Sequence, residues 1–224
     1  NTAREFFATV NLTHNREWYN RIYEQRIENG QVQRVSLPLS NHGSGYTVKS
    51  TLSKGFYELG LKTSFLVLLN ISKAEQISGG QRLPYQYRLM LLEPKVIWTP
   101  NRHWETSYQT DIRYGGNKIG ERTRLAPLWN VTQQVQLSYI FSPIEASLSV
   151  DHYHNDVNED QSVNAVFADF SVSWKSGRWQ ITATATNLFD KRTYAYTRYA
   201  SLESYTSWVR IRPREFQVAI RYRL

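Results

Sequence analysis

The sequence predicts an all-β chain: an antiparallel up-and-down transmembrane β-barrel, or about ten strands of a larger one. Three observations carry that expectation. Apolar residues recur at every second position through much of the chain, short and long connections alternate, and aromatic residues gather at the short ones. Period two is the mark of a strand with one wet face.

Taken in order, residues 4–26 and 31–39 form two long stretches expected to pair across Glu28-Asn29-Gly30, a hairpin signal. Less regular strands follow near 46–53, 57–69 and 85–98. The alternation then sharpens. Trp104, Thr106, Tyr108, Thr110, Ile112 and Tyr114 stand against Glu105, Ser107, Gln109, Asp111 and Arg113, and Val135, Leu137, Tyr139 and Phe141 against Gln134, Gln136 and Ser138. Ala146, Leu148, Val150 and His152 alternate with Glu145, Ser147, Ser149 and Asp151. Val166 to Trp174 repeats the pattern, as do Ile181, Ala183 and Ala185, and the chain ends on Phe216, Val218, Ile220, Tyr222 and Leu224 alternating with polar or small neighbours.

Between these strands the connections 187–213, 155–164, 115–127 and 70–84 read as long, and Ser176-Gly177, Ser142-Pro143, 99–103 and Ser53-Lys54-Gly55 as short. In an up-and-down sheet alternate connections share an end, so short turns line one rim and long loops the other. Outer-membrane barrels sort their connections in this way. Phe56, Trp98, Trp104, Phe141, Trp174 and Trp179 flank the short turns and are expected to form a headgroup girdle.

Composition narrows the alternatives. The longest apolar run, Phe65-Leu66-Val67-Leu68-Leu69, has five residues, whereas a spanning helix needs about 20. There is no cysteine, which excludes disulfides and thiolate metal sites. The net charge of +8 comes from 27 Lys and Arg against 19 Asp and Glu in 224 residues, spread along the chain rather than clustered. That distribution does not favour nucleic acid; it fits outward cations against lipopolysaccharide phosphates and inward ones, such as Arg221 and Arg223, along a lumen.

Two groups of side chains stand out as candidate sites. His152 and His154 share a strand face, with Asp156 near, a spacing that fits a divalent ion less well than it fits a solvated loop tip. Tyr194, Tyr196, Arg198, Tyr199, Tyr205, Trp208, Arg210 and Arg212 crowd the last long connection, offering stacking faces and fixed donors for a sugar, aromatic chelate or anion; the same spacing also fits an extended hairpin. No nucleophile–base constellation or phosphate-cradling loop is present, so neither catalysis nor a cofactor is expected.

The segment Asn187-Leu188-Phe189-Asp190-Lys191-Arg192 at the end of a penultimate strand resembles the NLF-D/N-K motif near the C-terminus of TonB-dependent outer-membrane receptors. The tyrosine-rich stretch from Tyr194 to Trp208, then Arg210-Ile211-Arg212-Pro213-Arg214-Glu215-Phe216 and the terminal strand, is similar to the Bacteroidetes-type members. Asn20-Arg21-Ile22-Tyr23 in an early external loop, Leu52-Ser53-Lys54-Gly55-Phe56 at a turn and Phe167-Ala168-Asp169 at a strand start extend the likeness. It implies one segment, 1–224, of a barrel of about 22 strands in the outer membrane of a Gram-negative bacterium, with an N-terminal plug and the remaining strands outside this chain. It implies uptake of a scarce nutrient, a siderophore, vitamin, oligosaccharide or peptide, energised through TonB by way of that plug. Leu224 departs from the terminal aromatic usual in outer-membrane proteins. A structural or adhesive outer-membrane protein and a soluble carbohydrate-binding module are the alternatives.

Overall fold

A computed structural model describes residues 6–28, 31–158, 160–199 and 204–223, without the side chains at 25, 27, 31, 32, 122–126, 198, 199 and 204. Glu159, Leu224 and the Asn29-Gly30 turn lie outside the described residues. The strands are β1 (Phe6–Tyr19), β2 (Ile22–Glu28), β3 (Gln31–Leu37), β4 (Asn41–Phe56), β5 (Leu61–Ser78), β6 (Gln81–Asn101), β7 (Trp104–Ile119), β8 (Arg122–Phe141), β9 (Ile144–Asp156), β10 (Ser162–Ser176), β11 (Trp179–Thr186), β12 (Thr193–Tyr199), β13 (Ser204–Arg210) and β14 (Glu215–Tyr222). No α-helix occurs among the described residues, only a 3₁₀ turn at Tyr57–Leu59.

The protein is an all-β, antiparallel up-and-down sheet. Hydrogen bonding runs β1-β4-β5-β6-β7-β8-β9-β10-β11-β14, ten strands in sequence order once two hairpins, β2–β3 and β12–β13, are set aside. Among the described residues no ladder joins β1 to β14.

Register sorts the side chains onto two faces. Val10, Val48, Leu69, Leu92, Ile112, Val135, Leu148, Phe170, Ala183 and Val218 belong to one continuous outer set, because each ladder pairs residues whose side chains point the same way. The other set, from Thr51 and Lys49 through Gln109, Gln134, Ser149 and Asp169 to Thr184 and Gln217, is largely polar. Much of the apolar set is solvent-accessible on inner strands as well as at the edges: Trp98 is 47% and Leu69 and Phe170 each 41% exposed. A water-soluble sheet buries that set instead. The polar set is the inner face, since β12 packs over it and single cavities gather side chains from β5 through β9.

Several boundaries differ from the sequence reading. The 4–26 stretch breaks at Asn20-Arg21, so β1 pairs with β4 while β2 turns back on β3. Ser53-Lys54-Gly55 is no turn: it continues β4 opposite Ser64, Thr63 and Lys62, and the chain reverses at Tyr57–Leu59 and Gly60. The connections at 70–84 and 115–127 are strand for most of their length and reverse at Gly79-Gly80 and Gly120-Glu121. They read as loops because their side chains turn polar. The ladders persist because both partners extend together, with Lys73 opposite Gln86 and Lys118 opposite Thr123. Pro94 lies mid-strand where the ladder to β7 skips Glu93 and Pro94, the site where a missing N–H costs least.

Candidate functional site: clefts beneath the β12–β13 hairpin

The last long connection is a hairpin laid over the inner face, and the Asn187 motif is what clamps its base. After Thr186 the Asn187 N–H donates to Asp169 Oδ1 (2.7 Å) and the Leu188 N–H to the Ala168 carbonyl (2.8 Å), which docks the chain on β10. Asn187 and Asp190 both adopt φ near +50° (51° and 52°), a conformation Asn and Asp tolerate better than most residues. Asn187 Nδ2 then donates to the carbonyls of Lys191 and Arg212 (2.8 Å each), and its Oδ1 accepts from the Lys191 N–H (2.9 Å). One amide thus ties the outgoing and returning arms together. Asp190 repeats the device, accepting from the Arg214 N–H and the Arg192 guanidinium (2.9 Å each). The Arg214 hydrogen bond, then that from Arg192, holds its carboxyl below the usual range.

Above the clamp, Ala195 and Thr197 are 0% and 1% exposed, pressed against the sheet. Thr197 Oγ1 donates to the Val157 carbonyl (3.1 Å), and Asn155 Nδ2 donates to the Tyr194 hydroxyl (2.9 Å). Tyr194 sits in an aromatic cluster: its ring centroid is 5.2 Å from Tyr153, 6.4 Å from Phe167 and 5.8 Å from Tyr196. Such tilted and edge-on contacts orient rings beyond what area burial gives.

This cluster forms a wall between two clefts. One, of about 570 Å³, opens between β9, β10, the hairpin base and β14, with Tyr153, Phe167 and Tyr194 as its apolar side and Asp151, Asp169, Glu215 and Arg212 at its polar side. The second, about 740 Å³, lies on the hairpin's other flank, floored by Leu68, Leu89 and Leu91 and edged by Gln109, Gln134 and the Asp111–Arg113 pair, joined by two 2.8 Å bonds. Both volumes suit a small organic solute, and an apolar floor with few polar groups is the usual construction of such a site.

The predicted recognition residues are divided by this arrangement. Tyr194 and Tyr196 line the clefts and Arg212 stands at the mouth of the first. Tyr205 and Trp208, 56% and 70% exposed, and Arg210 lie on β13, the strand away from the sheet. The side chains of Arg198 and Tyr199 lie outside the described residues. Sequence reasoning missed Tyr153, Phe167, Asp169 and Glu215. The available signal was rings and leucines, Tyr153, Phe167, Leu68, Leu89 and Leu91, on the otherwise polar parity.

His152, His154 and Asp156 do share one face, as their spacing requires. His152 Nδ1 lies 3.2 Å from Gln133 Oε1; His154 pairs with Asn164 (2.9 Å) and Asp156 (3.4 Å), while Asp156 Oδ2 accepts from the Trp129 N–H. Among the described residues no group of three such side chains is placed to hold a metal ion.

Trp98, Trp104, Phe141, Trp174 and Trp179 are all exposed at the short-turn rim, and Phe56 receives the Lys54 ammonium 4.6 Å above its ring. Trp104 packs on Tyr139 (4.7 Å) and Trp179 on Tyr222 (4.8 Å). Further up the same outer face stand two more aromatic pairs, not read from sequence: His14 on Tyr46 (4.3 Å) and Tyr114 on Trp129 (4.6 Å). Fold and site together define an all-β up-and-down sheet with an apolar exposed face and a polar, cleft-bearing inner face. Comparison with protein-family models, curated proteins and solved structures gave no match.

Proposed function

We propose that this chain is wall and binding surface of an outer-membrane β-barrel of the TonB-dependent receptor kind, which takes in a small nutrient along its polar inner face. One observation carries the membrane part: apolar side chains run across the outer face of all ten strands, with rings along the short-turn rim and two aromatic pairs above them. On β8 the rim ring Tyr139 and the upper ring Trp129 stand ten residues apart. At about 3.3 Å per residue and a tilt of about 40° that spacing spans roughly 25 Å, the height of a barrel's lipid-facing band. The import part is supported by the clefts under the β12–β13 hairpin and by the Asn187 motif's resemblance. On this reading lipid and lipopolysaccharide cover the outer face, and a plug engaged by TonB supplies the energy. The chain itself performs no catalysis.

The test is refolding of the chain with and without detergent, read by circular dichroism and by gel mobility before and after heating. A heat-modifiable β-structure formed only in detergent is the expected result. A monodisperse β-rich protein in plain buffer refutes the reading and favours a soluble binding module.

A further inference from the structure

The inner face carries another recess, remote from the β12–β13 hairpin. At Asn20-Arg21 the chain turns from β1 into the β2–β3 hairpin, which joins the main sheet by a short parallel ladder, Glu24 opposite Ile77 and Gln25 opposite Ser78. Ile22, fully buried, and Glu24, 7% exposed, fasten the hairpin there. Its Arg21, Tyr23 and Arg34 thereby meet the inner-face side chains Asn41, Gln76 and Tyr85 around a cavity of about 270 Å³.

The polar groups of this cavity are unbalanced toward donors. The Arg34 guanidinium lies 3.9 Å and that of Arg21 5.6 Å from the Tyr23 ring centroid, and neither has an ion pair among the described residues. Glu75 also lines the cavity, and both it and nearby Glu24 are already ion-paired. Glu24 accepts from Arg26 (2.6 Å) and Glu75 from Arg82 (2.9 Å), while Asn41 satisfies the Glu75 backbone at both its carbonyl (2.8 Å) and its N–H (3.0 Å). Gln76, only 4% exposed, keeps an Nε2 with no hydrogen-bond partner among the described residues. Gln76 lines the cavity, so its amide is a neutral donor within reach of a small shift of the side chain.

We propose that this recess binds an oxyanion, a carboxylate, sulfate or phosphate, borne on a small molecule of about sugar size. The planar forks of Arg21 and Arg34, stacked on Tyr23, match an oxyanion's geometry, the Gln76 amide supplies a neutral donor, and the Tyr85 ring offers a face for the rest of the molecule. A neutral polyol lacks the charge that two guanidinium groups with no ion pair among the described residues select. The inference concerns binding at a place apart from the hairpin clefts and stands whether or not the protein imports anything.

The experiment is calorimetric titration of the folded chain in detergent micelles with glucuronate, inorganic phosphate and glucose. Saturable binding of glucuronate without glucose binding is expected. Phosphate binding as tightly as glucuronate assigns the site to the free anion; tighter glucuronate assigns it to the ring-borne one. Gln76→Leu and Arg34→Gln each weaken the anion at least about tenfold. Gln76→Leu leaves ligand-free unfolding unchanged or raised, because it removes an unpaired amide. Arg34 is exposed, so Arg34→Gln keeps the fold even where Gln76→Leu does not. Absence of anion binding, glucose binding equal to glucuronate, or unchanged affinity in both variants overturns the proposal.

Discussion

Replacing Asn187 by alanine removes the two bonds its Nδ2 donates to the Lys191 and Arg212 carbonyls and the one its Oδ1 accepts from the Lys191 N–H. The residue is 6% exposed, so water replaces these bonds poorly. At about 1 kcal/mol net for each bond the loss is about 3 kcal/mol. Alanine must also hold φ at 51°, which adds about 1 kcal/mol that asparagine and glycine largely escape. The sum is about 4 kcal/mol for Asn187→Ala and about 3 for Asn187→Gly.

That cost falls on the hairpin rather than on the sheet, because the clamp joins 191 to 212 and leaves the β10–β11 and β11–β14 ladders intact. Amide hydrogen exchange of the chain in detergent reads it directly: the β12 and β13 amides exchange about a thousandfold faster in Asn187→Ala, and β5 and β6 are unaffected. Exchange in β12 changed less than about threefold, or a loss of protection spread evenly over the sheet, refutes the clamp.

The outer face makes a second expectation. Val150→Arg puts a cation on the apolar face and costs about 2–4 kcal/mol in lipid vesicles, whereas Ser149→Arg, one position along and on the polar face, is tolerated; equal costs by urea titration contradict the membrane orientation. Because the Asp190 carboxyl titrates below its usual range, its contribution is fully present above about pH 4 and is lost as pH falls through the lowered folded value. Proteolysis of the hairpin therefore accelerates in acid, and Asp190→Asn abolishes that pH dependence; an unchanged profile in the variant counts against the assignment. At the short-turn rim a Cβ on Gly60, φ +61°, would stand 1.9 Å from the Thr99 carbonyl oxygen, while one on Gly177, φ +56°, meets nothing within 4 Å. Thermal unfolding should show Gly60→Ala costing more than about 2 kcal/mol and Gly177→Ala about 1; the reverse order refutes the turn geometry.

Alternation along β9, β10, β11 and β14 is a local property, dictated residue by residue, and it assigned the faces of these strands before any partner was known. Three of the four short turns and the rings beside them were legible too, while the turn read at Ser53-Lys54-Gly55 lies at Tyr57–Leu59 and Gly60. Fold class and the direction of the apolar face were thus determined by the sequence alone.

Where strands end, and what lies across the inner face, belonged to the tertiary structure. Residues 70–78 look like loop because their polar side chains carry no period, yet they stay in β5 because residues 81–88 of β6 extend beside them. Tyr194 and Tyr205 are alike in sequence, one half-buried against Tyr153 and the other 56% exposed. What separates them is the clamp at Asn187, which lays β12 rather than β13 on the sheet, and no local preference of either tyrosine encodes that choice. The cavities are likewise non-local. Asp169 and Glu215, or Arg34 and Gln76, lie more than 40 residues apart in the chain; the β10–β11–β14 ladders bring the first pair to one site, and the β2–β3 hairpin docked on β5 the second.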